Sequence, residues 1–237
     1  WSTGVAATTL VLQNAISLIE YINRFKGDET MIFADIKSDS IVASIDYHKA
    51  PAEEKDVTKQ AMHRQHTATL MLPKSEQWAI WTAQNEKLIT HMGFSSFLEE
   101  NSFDVVSLDG KGSSSGAPVG ADLLELCRDL QVKQDVKFSS SIRMGDNASI
   151  SYSKDADATT KDNMSLPVAF TISIPVYFGE APVQIVCYTR RSISDGKLLL
   201  GYKMLRLEAI RQAEFGRVVN EVEGATQVPM VYGSTGR

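Results

Sequence analysis

Asp35, Asp46 and His48 are the residues of this chain whose types best suit reaction chemistry. Two carboxylates and an imidazole can hold a divalent cation or exchange a proton as acid and base. They fall on two apolar segments, residues 31–36 and 41–47, separated by the polar cluster Lys37-Ser38-Asp39-Ser40. That cluster has hairpin length, and a hairpin brings the three groups toward one another. A metal-dependent hydrolase is one function this arrangement allows. The plainer alternative is that Asp35 and Asp46 are polar residues at exposed strand ends, since no HxH or HExxH spacing accompanies them.

Other constellations are weaker. His63 and His66 lie near a loop-to-strand junction, and zinc needs further ligands; Cys127 and Cys187 are distant, so these read as surface histidines. Ser139-Ser140-Ser141 lacks the GxSxG elbow. Residues 109–120, DGKGSSSGAPVG, match neither GxGxxG nor GxxxxGK[ST], and read as a flexible insertion loop. No catalytic residue, metal site or cofactor site is therefore expected, and the chain reads as a non-enzyme.

Binding chemistry has two candidates. Trp78 and Trp81 have the types to stack on bases, although their helical spacing suits core packing better. Lys133, Lys137 and Arg143 share one side of an alternating segment, and Arg190 and Lys203 lie on neighbouring expected strands. If those faces coincide, they form a basic stripe able to follow a single-stranded phosphate backbone. Asp135 interrupts it.

These residues need elements to position them. Val11, Ala15, Leu18, Ile22 and Phe25 recur at steps of three and four, which predicts a helix over 11–25 that ends at Gly27-Asp28. Strands are expected at 31–36, 41–47 and 66–72, and helices from Ser75 and near Ser95 and over 121–130. Residues 132–143 and 148–153 read as a hairpin. Val168, Phe170, Ile172, Ile174 and Val176 alternate as a strand that pairs with 183–191 across Phe178-Gly179-Glu180. Asp195-Gly196, a type I′ turn signal, then leads into 198–207. A helix over 208–223 with Gly224 as its stop closes the chain. Sequential hairpins predict one α+β domain over 1–237, an antiparallel β-meander with flanking helices and a C-terminal amphipathic helix.

Composition agrees with a globular chain. Of its 237 residues, 43% are hydrophobic and 22% charged, which excludes a disordered protein. The net charge of −5 argues against a protein that coats duplex nucleic acid through bulk charge. Both cysteines sit in apolar contexts and read as buried free thiols in a reducing compartment. No run is long enough for a membrane span, and the first residues read without a basic leader or a cleavage pattern, so cytoplasmic localisation is expected. The chain starts at Trp1 rather than methionine, and a natural stretch is expected ahead of it. Several strands are apolar on both faces, such as Leu198-Leu199-Leu200. A second subunit is a natural cover for the surplus face, so a homo-oligomer is expected.

The ordered set MIFADIKSDSIVASIDYH, HTATLMLPKSEQWAIWT, FSSFLEEN, ADLLELCRDLQVKQDVKFSSSIR, IPVYFGE and GYKMLRLEAIRQAEF resembles the YfdQ-like family of uncharacterised tailed-phage and prophage proteins. The resemblance covers residues from about 20 to 232. It implies a phage accessory product working in the bacterial cytoplasm and carries over no catalytic residue. The sequence thus points to a non-enzymatic, homo-oligomeric binding or scaffold protein whose partners are itself and another phage or host protein. The alternatives are a single-strand-binding or recombination helper using the basic face, and the hydrolase at Asp35, Asp46 and His48.

Overall fold

The computed structural model describes residues 8–47, 64, 66–109, 119–125, 127–128, 166–194 and 197–234. In chain order the strands are β1 (Thr8–Leu12), β2 (Met31–Asp35), β3 (Ser40–Ser44), β4 (His66–Met71), β5 (Ile89–Thr90), β6 (Val105–Ser107), β7 (Ala169–Ile174), β8 (Val183–Ser194), β9 (Lys197–Met204) and β10 (Met230–Tyr232). The helices are α1 (Ala15–Phe25), α2 (Glu76–Gln84), α3 (His91–Glu100) and α4 (Leu207–Thr226), with another helical stretch within residues 120–128. This is the α+β class expected, with strands paired mainly antiparallel and a helix near the C-terminus. No described helix is long and apolar enough to cross a membrane. The expected hairpin at 132–143 and 148–153 lies outside the described residues. The chain divides into two compact units.

The first unit draws on residues 1–75, 177–179 and 206–237. Its five strands run in the order β1-β4-β3-β2-β10. The inner pairs, β4–β3 and β3–β2, are antiparallel, whereas β1 joins β4 and β10 joins β2 in parallel. The expected helix over 11–25 begins later. Thr8, Thr9 and Val11 are β-branched and favour a strand, and Asn14 then caps α1 by accepting the Ser17 N–H at 2.8 Å. Leu18 and Ile22 of α1 are fully buried, as are Phe215, Val218 and Val222 of α4. On the sheet, register aligns Leu10, Ala68, Ala43, Ile32 and Met230 in one row and Leu12, Leu70, Ile41, Ala34 and Tyr232 in the next. The six central residues of these rows are almost wholly buried, each large one contributing about 2 kcal/mol. α4 passes straight through Gly224 and ends where Gln227 takes a left-handed φ of 56°. The Gln227 N–H reaches Glu223 O at 2.8 Å, which closes the last turn.

The second unit comprises 76–176 and 180–205. It holds the expected meander, five strands in the order β5-β9-β8-β7-β6 and antiparallel throughout. Ser194 pairs with Lys197, which leaves only residues 195–196 to join β8 and β9. Its core is aromatic. Trp81 is fully buried, with Phe97, Tyr202 and Phe170 ring centroids 5.0, 5.1 and 6.2 Å away. Its indole N–H donates to Asp104 Oδ2 at 2.7 Å, and its carbonyl accepts from Tyr202 Oη at 2.7 Å. Burial raises the Asp104 carboxyl above its ordinary range, an effect the Trp81 bond partly offsets.

Candidate functional site

Among the described residues the hairpin does not bring Asp35 and Asp46 together. Asp35 pairs with Ser40 at the turn end of β2–β3, whereas Met31 pairs with Ser44 at the other end, and Asp46 lies two residues beyond that. At about 3.3 Å per residue the two carboxylates stand on the order of 15–20 Å apart. Each is used locally. Asp35 accepts the Lys37 N–H at 3.0 Å and the Ser38 hydroxyl at 2.9 Å, and these bonds hold its carboxyl below the usual range. Asp46 Oδ1 accepts the His66 N–H at 3.0 Å. His48 lies outside the described residues, and no group of three ligating side chains occurs among those described. Of the alternative constellation, Asp35 and Asp46 thus lie at opposite ends of one hairpin.

His66 is not a bare surface histidine. Tyr21 Oη and its Nε2 stand 2.6 Å apart, and Phe25 meets its ring edge-on at 5.3 Å. His63 lies outside the described residues. Trp78 and Trp81 are both buried, so they pack the core. Cys127 and Cys187 are buried free thiols, and burial pushes Cys127 up to about 12 and Cys187 further in the same direction.

Of the basic stripe, Lys133, Lys137 and Arg143 lie outside the described residues. Arg190 and Lys203 do share a face, because Lys203 pairs with Tyr188, two residues before Arg190. Lys203 Nζ, however, binds Glu86 Oε1 at 2.5 Å. That ion pair holds the Glu86 carboxyl below its usual range, with a smaller contribution from Arg190. The described part of the stripe thus holds two cations and one carboxylate.

A polar cluster in the first unit has no counterpart in the sequence reading. Asp39, at the β2–β3 turn, holds a left-handed φ of 49°. Its Oδ1 accepts from Tyr177 Oη at 2.9 Å and from Arg211 Nη1, and its Oδ2 accepts from Lys74 Nζ at 2.7 Å. The Lys74 ammonium also lies 4.1 Å from the Tyr177 ring centroid. Arg211 continues to Glu208 and to the Ile36 carbonyl at 2.9 Å. Burial pulls the Lys74 pKa down against the attraction of Asp39, and burial together with Asp39 raises the Tyr177 phenol. Two cations face two carboxylates, and both Asp39 oxygens are taken. The cluster clamps the turn to α4.

The outer face of the first sheet is of another kind. Register aligns Val11, Thr69, Val42, Phe33 and Val231 in one row across all five strands, with Thr9, Thr67, Ser44 and Met31 beside it. Tyr47 covers Phe33, the ring centroids 5.0 Å apart, and the Arg64 guanidinium lies 4.2 Å from the Tyr47 ring centroid. The flanks are open: Val11 is 68% exposed, Met71 48% and Val231 40%. Among the strand residues of this face only Asp35, at the rim, is ionisable. The remaining strand residues of this face are apolar or carry a hydroxyl.

No curated protein and no solved structure matches the chain. A family model described as uncharacterized conserved protein (DUF2303) matches residues 6–235, nearly the full length, and the chain belongs to that family.

Proposed function

We propose that this chain is a non-enzymatic, homo-oligomeric binding or scaffold protein, of tailed-phage or prophage origin as its resemblance to the YfdQ-like family implies, and acting in the bacterial cytoplasm. The observation that carries the oligomer is the uncharged row Val11, Thr69, Val42, Phe33 and Val231 on the outer face of the first sheet. With a net charge of −5, copies repel one another, so contact favours a row that carries no charge.

Single-strand binding is a second reading, favoured by Tyr188, exposed opposite Lys203 and beside Arg190. An aromatic ring between two cations suits a base and its phosphates. Mass photometry with and without single-stranded DNA at low and high salt separates the readings. The scaffold reading expects a defined oligomer indifferent to DNA; mass gained only at low salt favours the second reading, and a monomer in every condition refutes the first.

A further inference from the structure

We draw no further inference here: the strongest candidate, the cavity of about 210 Å³ in the second unit that Glu76, Glu100, Asp104 and Phe103 line, is a cluster of acidic side chains, and nothing else in the structure points to what it would hold.

Discussion

Replacing Asp39 tests the clamp that holds the β2–β3 turn. Asn tolerates the left-handed φ of 49°, so Asp39→Asn removes the charge and leaves the turn. Stripping one partner from a buried ion pair costs about 3–5 kcal/mol. The Asp39 and Arg211 side chains are 11% and 15% exposed, but Lys74 is 32% exposed. Arg211 also keeps Glu208 and the Ile36 carbonyl. Solvent and these remaining partners bring the expected loss to about 2 kcal/mol. Asp39→Ala loses the same carboxylate and adds the left-handed penalty of about 1 kcal/mol. Asp39→Gly escapes that penalty and is expected to be the more stable of those two, the reverse of the usual order in regular structure. Urea unfolding followed by far-ultraviolet circular dichroism reads all three. An Asp39→Asn midpoint equal to wild type, or an Ala variant as stable as the Gly variant, refutes the reasoning.

Three further outcomes are expected. Bonds from Arg211 and then Gln212 hold Glu208 down to about 2 from 4.5, so its contribution is complete above about 4.5 and fades as pH falls toward about 2. Glu208→Gln should flatten the urea midpoint between pH 5 and pH 3 by a small amount, as befits an exposed pair; an unaltered slope contradicts the assignment. Trp81→Phe removes the donor to Asp104 and opens a gap among Phe97, Tyr202 and Phe170, at a cost of about 2–3 kcal/mol; a loss below about 0.5 kcal/mol means the indole bond contributes little. Gly201 packs its backbone against the Lys87 carbonyl, so a β-carbon there overlaps main chain. Gly201→Ala should cost about 2 kcal/mol by the same assay, and a neutral result shows that the 86–88 turn yields easily.

What the sequence disclosed was local. The alternation in β7, the Asp-Gly signal between β8 and β9 and the stripe Ala15, Leu18 and Ile22 depend on near neighbours, and each predicted its element. The strand over 8–12 was hidden because Val11 also fits the helical spacing that continues to Phe25, and the strand is settled by pairing with β4, some fifty-eight residues on. β10 has three residues after Pro229 and owes its form to β2 rather than to propensity. The Asp39 clamp was invisible for the same reason. Its partners Lys74, Tyr177 and Arg211 lie 35, 138 and 172 residues away, and in sequence Asp39 is an ordinary turn residue. Asp35 and Asp46 show the converse case: the turn at 37–40 was legible, and counting outward from it already sets Asp35 beside the turn and Asp46 beyond the far end of β3.

The central claim is that this chain works as an assembly of copies. Sedimentation velocity over a wide concentration range, on wild type and on a Val11→Lys/Val231→Lys variant that charges both ends of the outer row, tests it most directly. The account predicts a wild-type species at a whole multiple of 26.1 kDa that persists on dilution, with the variant shifted toward 26.1 kDa. Wild type at 26.1 kDa at every concentration contradicts it.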